Sequence, residues 1–142
     1  MIAYADTSFL VSLYVPDTNS SSALATARTL RFPVVLSSLG ELEFVNSLAL
    51  RVFRKELASP LTASALAHFR QDTLAGVLRI VPLPLAVFEK AAHLSQKYSA
   101  HLGTRTVDLL HVAAALTLHA RRFYTFDHAQ AKLARLLGLR AL

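Results

Sequence analysis

Short apolar runs, each stopping at a polar residue and giving way at once to a helical segment, constrain this chain more than any other feature. The first run, Ile2-Ala3-Tyr4-Ala5, ends in Asp6-Thr7-Ser8 and leads into a second apolar stretch, Phe9 to Val15. Val34-Val35-Leu36, Leu78-Arg79-Ile80-Val81-Pro82 and Phe123-Tyr124-Thr125-Phe126 are of the same kind, rich in β-branched and aromatic residues. Segments of good helix formers separate them: Ala23 to Leu30, Leu39 to Leu57, Thr62 to Gly76, Pro84 to His101, Thr106 to Leu118 and Ala129 to Leu137. Punctuation agrees with these limits. Pro84 suits a first helical turn, Gly103 and Gly138 suit helix ends, and Ser59-Pro60 breaks the chain. Leu139 to Leu142 can add an edge strand. Strands that alternate with helices predict an α/β fold, with a short, mostly parallel central sheet of about four to five strands. Helices should cover both faces, giving three layers in one domain over residues 1–142.

Composition removes several classes of chemistry. There is no cysteine, so disulfides, thiolate nucleophiles and zinc–thiolate sites are excluded. No apolar run is long enough to span a bilayer, so no membrane role is expected. Ile2 opens the first strand with no basic or cleavage-site pattern before it, which makes a cytoplasmic location the expectation. The net charge of +6 favours a polyanionic partner. Hydrophobic residues make up 54% of the chain, which suits a strongly buried core or apolar surface kept for a partner. No glycine-rich phosphate loop, HExxH pattern or serine-nucleophile elbow is present.

Only nine residues are Asp or Glu, so each can be placed individually. Asp6 and Asp127 directly follow apolar strands. Parallel strands share a direction, so both acids should emerge at the same sheet edge, where open α/β sheets bind ligands. Both could instead be helix N-caps. Asp108 lies in the first turn of a nearly all-apolar helix, beside Val107, Leu109, Leu110 and Val112. The helix dipole favours a carboxylate there, but burying it unpaired would cost several kcal/mol. Glu41 and Glu43 both begin the long helix and point to nearly opposite faces, so only one can enter a common site. Glu41 shares its face with Phe44, Val45, Leu48 and Val52 and completes a capping-box spacing in Ser38-Leu39-Gly40-Glu41. Glu43 shares its face with Asn46, Ser47 and Arg54, which suits a wet cleft, and is the preferred second acid. Four convergent carboxylates would repel one another unless a cation joined them. Oxygen ligands alone favour Mg²⁺ or Mn²⁺.

Taken together, Ala5-Asp6-Thr7-Ser8-Phe9-Leu10, Glu41-Leu42-Glu43-Phe44-Val45-Asn46-Ser47-Leu48, Val107-Asp108-Leu109-Leu110-His111-Val112-Ala113-Ala114-Ala115 and Phe123-Tyr124-Thr125-Phe126-Asp127 resemble the PIN-domain family. Within it they look like the VapC-type toxin ribonucleases of toxin–antitoxin pairs. The resemblance covers essentially the whole chain. It implies a PIN-like three-layer sandwich and a Mg²⁺- or Mn²⁺-dependent endoribonuclease with Asp6, Glu43, Asp108 and Asp127 as metal-holding catalytic acids. Thr7, Ser8 and Thr125 would orient those carboxylates or the attacking water. An RNA substrate, a cognate antitoxin and a homodimer are implied too. The competing expectation is a non-catalytic PIN-fold module for RNA or protein, its acids kept as helix caps.

Other groups have plainer readings. His111 follows Asp108 by three and shares its face; a core histidine satisfied by a backbone carbonyl is the expectation. His128 should be exposed. Arg51, Arg54 and Lys55 suit either an RNA-facing patch or a solvated helix face, and Arg121-Arg122 and Lys132/Arg135 are similar. Leu133, Leu136 and Leu137 suit core or a dimer surface.

Overall fold

The computed structural model describes all 142 residues. Its sheet consists of β1 (Ala3–Ala5), β2 (Val34–Ser37), β3 (Leu78–Val81), β4 (Arg122–Tyr124) and β5 (Arg140–Ala141). The order is β3-β2-β1-β4-β5, and every neighbouring pair is parallel. The chain lays β2 and β3 to one side of β1, then returns to place β4 and β5 on the other. The crevice between β1 and β4 is therefore a switch point, where the carboxyl ends of adjacent strands lead into helices on opposite faces.

Eight helical segments connect and cover the strands: α1 (Thr7–Tyr14), α2 (Ser20–Arg28), α3 (Ser38–Phe53), α4 (Ser59–Leu74), α5 (Leu85–Leu94), α6 (Ala100–Leu102), α7 (Thr106–Thr117) and α8 (His128–Leu136). Period-two alternation along the strands decides which layer each side chain joins. Ala3, Ala5, Val34, Leu36, Leu78 and Tyr124 pack with Phe9, Leu10, Phe44, Leu48, Ala65 and Phe69 from α1, α3 and α4. Tyr4, Val35 and Phe123 face the other way, onto Val87, Ala91, Leu109, Val112, Ala113, Leu133 and Ala134 from α5, α7 and α8. These two cores, one per face of the sheet, make the expected three layers.

Several boundaries differ from the sequence reading. The long helix stops at Phe53, and the next starts at Ser59 with Pro60 in its first turn, where the missing N–H costs nothing. Thr62 therefore does not cap that helix; its hydroxyl bonds back to the Ser59 carbonyl at 2.7 Å. The expected capping box at Ser38–Glu41 is absent. Ser37, the last residue of β2, is the cap and accepts from the Gly40 amide at 3.1 Å. The helix expected to run on to His101 passes through a π turn, Ser95–Ser99, before α6. Gly103 then ends it with φ of 63°, a left-handed conformation that glycine adopts without strain. No helix is long and apolar enough to cross a membrane.

Candidate active site

Register explains how distant acids meet. Ala5 pairs with Tyr124, so the next residues, Asp6 and Thr125, leave the sheet side by side. The Asp6 amide continues the ladder to the Tyr124 carbonyl at 3.0 Å. The Asp6 carboxylate is wholly buried, and both of its oxygens are occupied. Oδ1 accepts from the Phe9 amide at 2.9 Å, which makes Asp6 the N-cap of α1. Oδ2 accepts from the Thr125 hydroxyl at 2.7 Å, and Ser8 Oγ lies 2.8 and 2.9 Å from the two oxygens. Burial pushes the Asp6 carboxyl pKa up, against the Phe9 amide, Thr125, the charge of His111 and Ser8. Ser8 Oγ also accepts from the Phe126 amide at 2.8 Å, locking the end of β4 to the start of α1.

Asp127 is reached through the same threonine, since its amide donates to Thr125 Oγ1 at 2.9 Å. Its carboxylate caps α8 by accepting from the Gln130 amide at 3.0 Å. Asp127 is thus the N-cap of α8, and its amide ties it to the Thr125 hydroxyl that also holds Asp6. Asp108 is wholly buried in the first turn of α7, the placement that sequence reasoning found costly. The protein meets that cost with its own groups. The Arg105 amide donates to Oδ2 at 2.9 Å, Gln130 Nε2 donates to Oδ1 at 3.1 Å, and the Arg105 guanidinium pairs with both oxygens at 3.3 Å. The same guanidinium reaches Asp127 Oδ2 at 3.3 Å. Hydrogen bonding to Asp108 and its charge hold the Arg105 guanidinium more firmly protonated than usual.

Glu43, not Glu41, is the glutamate placed beside this network, in a hydrogen-bonded group of its own. It accepts from Thr7 Oγ1 at 2.8 Å and lies 2.6 Å from His111 Nε2. Desolvation raises the Glu43 pKa, but the His111 hydrogen bond and charge and the Thr7 bond outweigh it, leaving the carboxyl below its ordinary value. His111 corrects an expectation. It is buried, but its partners are side chains and not a backbone carbonyl. An ionised Glu43 has no proton to give, so Nε2 carries one; Nδ1 lies 2.9 Å from Tyr4 Oη, which also bonds Ser37 Oγ at 3.0 Å.

The expected residues therefore fall into two hydrogen-bonded groups: Asp6–Ser8–Thr125–Asp127–Arg105–Asp108, and Glu43 with Thr7 and His111; the adjacency of Asp6 and Thr7 in the chain sets them side by side. The aspartates are linked through intermediaries; no three ligating side chains close on a common point. The expectation that only a cation could make their crowding tolerable is thus corrected, because Arg105, Gln130, His111 and the hydroxyls already partner them. Sequence reasoning missed Tyr4, Ser37, Arg105 and Gln130. Spacing held a signal for two of these: Arg105 stands three before Asp108 and Gln130 three after Asp127, the separation of neighbours on a helical turn. Of the other groups, His128 is exposed as expected, and Leu133 is core while Leu136 is exposed. Arg54 lies eleven residues along from Glu43, about 16 Å by helical rise, so the Arg51, Arg54 and Lys55 group is remote from the acids.

A five-stranded parallel sheet with helices on both faces and a switch point between β1 and β4 defines the class of protein. The PIN domain family model matches residues 3–136, and the chain belongs to the PIN domain family. Among solved structures it is similar to Mycobacterium tuberculosis VapC20, described as a sarcin-ricin loop cleaving toxin, with a TM-score of 0.73 at 19% identity over 92% of this chain and 93% of that one. It is similar to FitAcB from Neisseria gonorrhoeae, with a TM-score of 0.69 at 18% identity over 99% and 96% of the two chains. VapBC2 from Rickettsia felis, bound to a DNA fragment from its promoter, gives 0.68 at 19% identity over 100% and 98%. At these identities the likeness is one of fold. No curated protein matches the chain significantly in sequence.

Proposed function

We propose that this PIN domain is a divalent-metal-dependent endoribonuclease and the toxin of a VapBC-type toxin–antitoxin pair. One observation carries the reading: Asp6, Asp108 and Asp127, far apart in sequence, belong to a single hydrogen-bonded network at the switch point of the sheet, and Glu43 is held beside it by Thr7, the neighbour of Asp6 in the chain. The donor chemistry fits Mg²⁺ or Mn²⁺, which take oxygen ligands and keep several waters. A positive group, the Arg105 guanidinium, already bridges two of the carboxylates. Gln130 Oε1 is a buried acceptor without a hydrogen-bond partner beside Asp108, suited to a proton of a water brought in with a hydrated ion. Asp6, Asp108, Asp127 and Glu43 would hold the ion. When bound, it supplies the positive charge that makes water a nucleophile near neutral pH and stabilises the departing oxygen of a phosphodiester.

The chain's own residues do the rest. Ser8, Thr125 and the Phe9 amide fix the Asp6 carboxylate from three sides, so that no orientation has to be found during reaction. His111, held by Tyr4, orients Glu43, and Thr7 limits its rotation. The excess of basic residues attracts the RNA backbone. A homodimer and an antitoxin would cover part of the exposed apolar surface, which includes Leu42, Phe53, Leu74 and Leu85.

Purified protein should cleave RNA with Mg²⁺ or Mn²⁺ and stop when a chelator is added. Cleavage that persists unchanged in Asp6→Asn and Asp108→Asn would rule the mechanism out. Expression should arrest growth, and Asp6→Asn should relieve the arrest. A second reading, a non-catalytic module, is favoured by the hydrogen-bond partners that every carboxylate already has. It predicts no thermal stabilisation by Mn²⁺, whereas the nuclease reading requires it.

A further inference from the structure

Arg105 has a combination of properties that capping does not explain. Its backbone is fixed: it is the N-cap residue of α7, and its amide donates to Asp108 at 2.9 Å. Its side chain is held only by long ionic contacts at the surface. The side chain is 74% exposed, whereas the Asp108 side chain it pairs with is 1% exposed. Each of its ionic contacts, two to Asp108 and one to Asp127, is 3.3 Å long. Charge-assisted N–H···O bonds ordinarily shorten to about 2.7–2.9 Å, so the guanidinium is drawn to the pair of carboxylates without being seated on either.

We propose that the Arg105 guanidinium holds the divalent cation's place between Asp108 and Asp127 and, once displaced by that cation, becomes the contact for a phosphate of the bound RNA. The inference rests on the nuclease reading above and goes beyond it by giving one side chain two successive partners. A divalent ion that draws on the same two carboxylates repels a guanidinium at that position, and the exposed side chain is free to yield. The anchored backbone keeps the released group at the mouth of the crevice. There it meets the substrate, whose phosphate oxygens match the planar fork of a guanidinium. The exchange keeps the buried Asp108 partnered in both states. It also makes metal loading and RNA binding support each other, because the group that opposes the metal is drawn off by the phosphate.

The test measures Mn²⁺ binding by calorimetry and cleavage of a labelled single-stranded RNA of mixed sequence, for wild type, Arg105→Gln, Arg105→Lys and Asp108→Asn. Arg105→Gln should bind Mn²⁺ about fivefold more tightly than wild type, the scale set by losing an exposed ion-pair competitor. The same variant should raise KM for RNA about tenfold while kcat changes less, as expected for a lost phosphate contact. Arg105→Lys keeps the charge without the fork and should fall between the two in KM. It also serves as the folded control, since melting in chelator should leave it near wild type. Arg105→Gln binding Mn²⁺ no more tightly than wild type, or an unchanged KM in Arg105→Gln, would overturn the assignment. The two levels separate cleanly: if Asp108→Asn loses Mn²⁺ while the Arg105 variants match wild type, only the role of Arg105 falls. If Asp108→Asn binds Mn²⁺ as wild type does, the nuclease reading fails and takes this inference with it.

Discussion

Asp6→Asn removes a buried charge while keeping the shape of the side chain, and it should make the metal-free protein more stable as it abolishes activity. The carboxylate is wholly buried, and burial is the largest influence on its pKa, acting upward. Desolvating a charge costs several kcal/mol in real proteins. The contacts from Phe9, Thr125 and Ser8 offset part of that cost, and because burial outweighs them in raising the pKa, a residual cost of about 1–2 kcal/mol is expected. Asparagine keeps the acceptor for the Phe9 amide, and the Ser8 and Thr125 hydroxyls can turn to accept from its amide group. Relief of that residual should raise the melting temperature by about 3–6 °C for a domain of this size. The sign with pH follows from linkage. A carboxyl whose folded pKa is raised destabilises the fold only where it is ionised. The cost is absent below the ordinary value of 3.8, grows as pH rises through it and is complete above the raised folded value. The variant's advantage should therefore be full near pH 7 if the folded pKa lies below that, and should shrink as pH falls toward 4. Differential scanning calorimetry in chelator across that range reads it directly. An Asp6→Asn protein that melts below wild type at pH 7 would refute the reasoning, because the hydrogen bonds would then outweigh desolvation.

Three further outcomes test the network and its support. Glu43→Gln should destabilise by about 1 kcal/mol at pH 7, by losing a charge-assisted bond to His111. Because the Glu43 pKa is lowered, that contribution is present above the ordinary 4.5 and is lost as pH falls through the lower folded value; urea unfolding at several pH values should trace the loss. Tyr4→Phe should cost about 1–2 kcal/mol by leaving His111 Nδ1 and Ser37 Oγ each short of a buried partner, as read by denaturant midpoint. Phe69→Ala removes a buried ring stacked on Phe44 at 4.6 Å and should cost about 3–5 kcal/mol in the same assay.

Much of this arrangement was legible in the sequence, for identifiable physical reasons. Strands such as Val34-Val35-Leu36 are buried on both faces and so read as continuous apolar runs, and their alternation with helices fixed the layers. Asp6 directly follows β1, as parallel direction led one to expect, but β4 ends at Tyr124 and not at Phe126, so Asp127 stands three residues beyond its strand and is tied back through Thr125. The choice of Glu43 over Glu41 followed from helical geometry. What could not be read was how each acid is satisfied. Tyr4 looks like another apolar residue of a buried strand, and only the fold brings its hydroxyl to His111, 107 positions away. Gln130 and Arg105 come to Asp108 from the starts of two different helices. The boundary errors have local causes: Ser37 could serve as strand residue and cap together, and the π turn at Ser95–Ser99 leaves no mark in a helical pattern.

A crystal of the protein soaked in Mn²⁺ and measured at the manganese edge tests the central claim most directly. The account predicts an anomalous peak within about 2.0–2.3 Å of carboxylate oxygens of Asp6 and Asp108, with Asp127 and Glu43 facing it and the Arg105 guanidinium swung away. A crevice that stays free of anomalous density at saturating Mn²⁺, with Arg105 still bridging Asp108 and Asp127, would contradict it.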